Sequence, residues 1–219
     1  MKARIIALIN QKGGVGKTTA TMLLSAELSK RGYRTLVADC DSQSSSMSWA
    51  LAAPDSTPFP AAVVNLASFA EKTHREIQKH LDNYDFIVID CPPSLEALAP
   101  QSALLVAHLA IIPLPPSPAD LWAARPVKIL VERAQTINEG LKAAILPNKV
   151  GRTSLSKAIM KKLDDFGIPV MSAHLSHRIA YQEAVIAGVS VSDLGRDAKP
   201  AADEVRAMTD EVLALLGVA

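Results

Sequence analysis

The stretch Lys12-Gly13-Gly14-Val15-Gly16-Lys17-Thr18-Thr19 constrains this chain more than any other. An apolar run at residues 5–9 precedes it, and a helical pattern over residues 18–30 follows. Buried strand, glycine turn and helix start, in that order, build a cradle for phosphate. The glycines let successive N–H groups turn inward without a Cβ clash. The helix N-terminus adds partial positive charge and unpaired donors. In such a cradle Lys17 reaches the β- and γ-phosphates of a nucleotide, and the Thr18 hydroxyl ligates Mg²⁺.

The match to the pattern G-x-x-x-x-G-K-[ST] departs at its first position, where Gln11 stands in place of glycine. Lys12 is then an extra lysine at the start of the loop. The resulting K-G-G-x-G-K-T resembles the deviant Walker A motif of the ParA/MinD family of ATPases. The resemblance implies that Gly13, Gly14, Val15, Gly16, Lys17, Thr18 and Thr19 hold ATP or ADP with Mg²⁺. It also implies that Lys12 crosses a dimer interface to the partner's nucleotide.

The 219 residues suffice for one α/β domain spanning 1–219. Hydrophobic residues make up 49% but aromatics only 4%, so the core is built from Ala, Val, Leu and Ile. That composition suits a parallel sheet covered by helices. A formal net charge of +1 gives no global field toward nucleic acid or membrane. Cys40 and Cys91 fall in apolar runs and read as small core residues rather than a disulfide or metal pair. No run reaches 18 uninterrupted apolar residues, and the N-terminus is strand-like, so a cytoplasmic protein is expected.

Residues 34–40 read as the second strand, with Asp39 and Asp41 at its carboxyl end, where ligands bind in open α/β sheets. Two acids leaving an apolar strand need a positive neighbour, which Mg²⁺ and Lys17 supply. Asp39-Cys40-Asp41-Ser42-Gln43 resembles the family's D-x-D-P-Q, with Ser42 replacing proline. The resemblance implies that Asp41 positions the attacking water and that Asp39 stands behind the Mg²⁺ ligands. Residues 84–91 form a further buried strand ending in Asp90, a Walker B pattern whose carboxylate holds Mg²⁺ through water.

Further along, a helix over 119–138 contains Pro126, which predicts a break near Arg125. Trp122 on it reads as a core or interface anchor. Residues 143–150 form another strand, ending in Asn148. A carboxamide there offers both donor and acceptor to an adenine edge, and the resemblance places base reading here; an ordinary turn asparagine is the other reading. Pro147 suggests a strained or edge-like strand end. Residues 168–171 read as a late strand, and His174 and His177 as ordinary loop histidines.

Between residues 142 and 178 the balance turns basic. Lys142, Lys149, Arg152, Lys157, Lys161, Lys162 and Arg178 face only Asp164 and Asp165. The run is either a solvated helix face or a non-specific, salt-sensitive DNA contact. Lys157, Lys161 and Arg178 are the candidate DNA-binding residues. No base-reading module is visible.

The resemblance runs along essentially the whole chain and implies a doubly wound, mainly parallel α/β fold. It further implies a ParA-type ATPase that forms a homodimer with ATP and binds DNA non-specifically on the nucleoid. Such an enzyme partitions plasmid or chromosome DNA, with slow hydrolysis stimulated by a small centromere-binding or adaptor protein. One alternative is a positioning ATPase for a protein cargo. Another is a MinD-like membrane-cycling regulator, which needs a basic amphipathic C-terminal helix. No lysine or arginine follows Arg206, so no membrane partner is expected.

Overall fold

A computed structural model of the chain describes residues 2–94, 96–151, 154–163 and 166–218, with the side chains of residues 154–157 and 160 outside the description. Its strands are β1 (Arg4–Leu8), β2 (Thr35–Asp39), β3 (Ala62–Asn65), β4 (Phe86–Asp90), β5 (Leu109–Leu114), β6 (Lys142–Val150) and β7 (Leu175–Ser176). They form one sheet in the order β3-β2-β4-β1-β5-β6-β7, and every described pairing is parallel. From β1 the chain moves to one side for β2 and β3, returns through β4, and then crosses β1 to build β5, β6 and β7 on the other side. The reversal opens a crevice at the carboxyl end of β1, the position where such sheets bind ligands.

The helices are α1 (Lys17–Lys30), α2 (Ser45–Leu51), α3 (Thr73–Gln78), α4 (Leu98–Leu104), α5 (Pro118–Ala123), α6 (Arg125–Gln135), α7 (Ser154–Leu163), α8 (Ile179–Ala187) and α9 (Lys199–Leu216). Successive side chains of β1 point to opposite faces. Ile6 and Leu8 join α1, α9 and Trp49 in one core, while Ile5, Ala7 and Ile9 join α3, α4 and α6 in the other. Because both faces are covered, β2, β4 and β5 are buried throughout, which explains their unbroken apolar runs. Each fully buried Leu or Ile contributes about 1.5–3 kcal/mol by leaving water. On α9 the buried positions Val205, Met208, Val212 and Leu216 fall on one helical stripe, as a helix packed on one side requires.

The chain breaks at Ala124, between α5 and α6, and Pro126 occupies the first turn of α6, where its missing N–H costs nothing. Three expectations need correction. The late strand at 168–171 reduces to an isolated bridge between Ile145 and Val170, and the ordered strand is β7. The amphipathic pattern over residues 71–81 predicts a helix across that whole stretch, but α3 starts at Thr73 and stops at Gln78. Pro147 is not at an edge, since β6 runs between β5 and β7. Ile145 N–H donates to Pro169 O on the β7 side, so two residues on the proline ring faces the same side. It falls in the gap before β7 pairing begins at Asn148, where no ladder bond is lost.

Candidate functional site

The loop between β1 and α1 is held at both ends. Asn10 donates to Pro113 O at 2.9 Å and accepts from Lys12 N at 3.1 Å, which staples the loop entry to the end of β5. Gln11, the residue that breaks the glycine pattern, donates to Ala123 O at 2.6 Å and so ties the loop to α5. Gly14 and Gly16 have φ of 74° and 93°, in the left-handed region that favours glycine. A Cβ on Gly16 would also lie 2.1 Å from Asn148 Nδ2. Lys17 opens α1 and is buried, with its Nζ 3.2 Å from Lys12 O. Burial lowers its pKa, against the opposing pull of Asp90, Cys91 and Asp41.

The strand-end acids gather opposite the start of α1. Asp39 and Asp90 are register partners on β2 and β4, and both are buried. Asp90 Oδ2 accepts from Thr18 Oγ1 at 2.7 Å and from Ser46 Oγ at 2.8 Å. Its Oδ1 is buried and has no partner among the described residues. Burial pushes the Asp90 carboxyl up to about 6, against the hydrogen bonds from Thr18 and Ser46. Asp39 is also raised by burial, although it accepts from the N–H groups of Asp41 and Met47, each at 3.1 Å. Asp41 lies half-buried at the turn, accepting from Gln43 N at 3.0 Å.

An orphaned carboxylate oxygen, two adjacent buried acids and the Thr18 hydroxyl fit a hard divalent cation. Among the described residues no group of three or more His, Cys, Asp or Glu could hold a metal. Thr18, with Asp90 behind it, would hold such an ion, and phosphate and water would complete its shell, as Mg²⁺ prefers. Mg²⁺ held there would supply positive charge to neutralise the phosphates. Cys40 and Cys91 follow the acids by one residue and are buried free thiols; burial pushes Cys40 up to about 12, which leaves it inert.

Lys12 turns away from its own loop. Its Nζ bonds Asp120 Oδ1 at 2.6 Å. Asp120 belongs to α5, whose N-cap Ser117 accepts from Asp120 N at 3.1 Å and donates back to Asp120 Oδ2. On the other side of the loop, a cavity of about 160 Å³ is lined by Gly16, Thr19, Asn148, Lys149, Tyr181 and Gln182. Another cavity, of about 340 Å³ between α4 and α6 at Leu98, Leu105, Arg133 and Ile137, touches none of the loop or acid residues. Chemistry, rather than volume, marks the loop as the candidate nucleotide site.

The model of the CobQ/CobB/MinD/ParA nucleotide-binding domain matches residues 6–191. The chain belongs to this family. It is an ATPase of the ParA/MinD type. It is 35% identical over 213 residues to "Maintenance of carboxysome distribution protein A" of Halothiobacillus neapolitanus, covering 97% of each chain. It is 29% identical to "Chromosome-partitioning ATPase Soj" of Thermus thermophilus, covering 97% of this chain and 96% of the other. Among solved structures, the septum site-determining protein MinD of Pyrococcus horikoshii, complexed with Mg-ADP, superposes with a TM-score of 0.71. It is 25% identical and covers 96% of each chain.

Against this family frame, the expected phosphate-loop residues and Asp39, Asp41 and Asp90 converge at one crevice. Lys12 opens the same loop, but its side chain turns to Asp120 on α5. Asn148 lines the cavity beside the loop, yet its Nδ2 donates to Val15 O at 2.6 Å and its Oδ1 accepts from Lys149 N at 2.9 Å. Arg178 also lines that cavity and pairs with Glu204 at 2.7 Å. Glu204 further accepts from Ser176 Oγ at 2.7 Å and Tyr181 Oη at 2.6 Å. Burial alone would raise this carboxyl, but those hydrogen bonds win and hold it below its ordinary value. Of the basic run, Lys149 donates to Gly14 O and Lys142 to Leu215 O, while Lys161 and Lys162 are exposed on α7. Arg152, Asp164, Asp165 and the side chain of Lys157 lie outside the described residues.

Sequence reasoning missed Ser46 and Asp120. Both left a trace: Ser46 sits in a serine run just after the Asp39-Cys40-Asp41 signature, and Ser117-x-x-Asp120 reads as a helix start.

Proposed function

We propose that this ATPase positions a large cellular cargo by cycling between a released monomer and an ATP-bound sandwich dimer on DNA. The observation that carries the switch is the Lys12–Asp120 pair. A lysine placed at the nucleotide crevice but held by α5 is ready to exchange a partner in its own subunit for the phosphates of another. In the dimer each Lys12 reaches the other subunit's nucleotide, while Asp41 orients the attacking water. Hydrolysis alone is slow, because a carboxylate is a weak base, and an adaptor protein on the cargo stimulates it.

A protein assembly is the favoured cargo. The relative at 35% identity, matched along nearly its whole length, is named for carboxysome distribution. The Soj relative, named for chromosome partitioning, supports DNA as the second reading. A membrane-cycling mode finds no support in α9, whose apolar stripe packs into the core. Among the described residues no helix is long and apolar enough to cross a membrane.

Lys161 and Lys162 on α7 are exposed cations of the basic run that could meet DNA, and dimerisation doubles them. Binding of fluorescent duplex of arbitrary sequence tests the model. The ATP form binds and the ADP form binds far more weakly. If those cations neutralise about four phosphates, affinity falls roughly two decades between about 50 and 200 mM salt. Equal affinity with ATP and ADP overturns the DNA-matrix step. Deleting the gene and imaging candidate cargoes separates the two cargo readings: a clustered protein assembly with normal plasmid and chromosome inheritance supports the first.

A further inference from the structure

We propose that Asn148 and Lys149 are positioning residues for ATP binding: they set the direction of the phosphate loop's N–H groups rather than read the base. The contacts join the end of β6 to a loop more than a hundred residues earlier. Asn148 Nδ2 donates to Val15 O at 2.6 Å, and Lys149 Nζ donates to Gly14 O at 2.7 Å.

These two carbonyls are consecutive. A trans peptide is planar, so the carbonyl of one residue and the N–H of the next point in opposite directions. Pinning Gly14 O toward Lys149 aims Val15 N–H away from it. Pinning Val15 O toward Asn148 aims Gly16 N–H away likewise. Two donors are thereby turned to the far side of the loop by two side chains, in a segment whose glycines would otherwise let those planes rotate.

Three further observations carry the same assignment. Lys149 has φ of 54°, a left-handed backbone that disfavours any residue with a Cβ. Such a conformation persists where neighbouring contacts determine it, and the bond to Gly14 is one such contact. Asn148 is buried and fits so closely over the loop that Gly16 has no room for a Cβ beneath its amide. Half of its hydrogen-bonding capacity is already committed to the loop and its neighbour: Oδ1 takes Lys149 N–H on one of its two lone pairs and one N–H goes to Val15 O, which leaves one N–H and one lone pair.

The assignment separates from base reading by using a ligand that has no base. Inorganic tripolyphosphate, ATP and GTP each compete with a fluorescent ATP analogue on the full chain in Mg²⁺. Asn148→Ala loses tripolyphosphate and ATP affinity by the same factor, roughly tenfold for a buried hydrogen bond. Its preference for ATP over GTP is unchanged. Lys149→Met loses both ligands in parallel by a smaller factor, because its ammonium is exposed, and Lys149→Arg restores them. Lys149→Gly suits the left-handed backbone, keeps the wild-type melting transition, and still loses tripolyphosphate. Wild-type tripolyphosphate affinity in Asn148→Ala or in Lys149→Gly overturns the proposal. So does a collapse of the ATP-to-GTP preference in Asn148→Ala, which would make that amide a reader of the base.

Discussion

Lys12 Nζ and Asp120 Oδ1 are 2.6 Å apart, joining the first residue of the phosphate loop to the first turn of α5. The lysine side chain is 45% exposed and the aspartate 10%. The pair is therefore partly screened, and its strength is of the order of 1 kcal/mol or less. A contact this weak can be exchanged for a phosphate, and in the proposed cycle it would bias the free subunit toward remaining apart.

Asp120→Ala removes that bias. The midpoint of ATP-dependent dimerisation moves to lower protein concentration by up to about thirtyfold, because both subunits give up a pair worth ~1 kcal/mol. Sedimentation with a non-hydrolysable analogue measures it. A weaker dimer would place Asp120 within the assembled interface instead.

Lys12→Ala acts the other way. Nucleotide is retained, because Lys17, Thr18 and the loop N–H groups remain, but the ATP dimer is lost. Light scattering on the nucleotide-loaded variant decides the point. A normal dimer would confine Lys12 to its own subunit.

Asp41→Ala binds Mg-ATP and loses turnover by at least about 10²-fold, the usual loss when a group that manages proton transfer is removed. Phosphate release is the readout. Wild-type turnover removes Asp41 from the mechanism.

Glu204 gives a pH signature. Its carboxyl is held below its ordinary value by Arg178, Tyr181 and Ser176, despite burial. A depressed folded pKa stabilises the protein above the unfolded value of 4.5, and that share is lost as pH falls through the folded value. Glu204→Gln thus costs about 1–3 kcal/mol at neutral pH, and the gap from wild type narrows toward about pH 3. Urea titrations at the two pH values test this; a gap independent of pH would mean the network acts by packing alone.

The nucleotide motifs were legible because each is local. A glycine loop between strand and helix, and an acid leaving an apolar strand, carry their chemistry within a few residues. Asp39, Asp41 and Asp90 therefore converge as expected, brought together by the parallel register of β2 and β4. The contacts that tie the site together were not legible. Lys12 meets Asp120 and Asn148 meets Val15 across the sheet order, which fixes neighbours that no spacing in the sequence encodes. The break at Gln11 could be seen in the sequence, but its use, a bond to Ala123 O, depends on where α5 lands. Arg178 looked like surface charge because its partner, Glu204, lies 26 residues away on α9.

The chain's two tryptophans stand on the two helices that hold this site. Trp49, on α2 three residues after Ser46, is 2% exposed and donates to Val189 O. Trp122, on α5 two residues after Asp120, is 65% exposed. An indole in an apolar interior emits to the blue of one in water, so a single emission spectrum of unlabelled protein separates them. Movement of α5 as Lys12 departs alters the red component, and strain on α2 beside Asp39 and Asp90 alters the blue. The molecule carries its own two-colour reporter of which side of the site moves first.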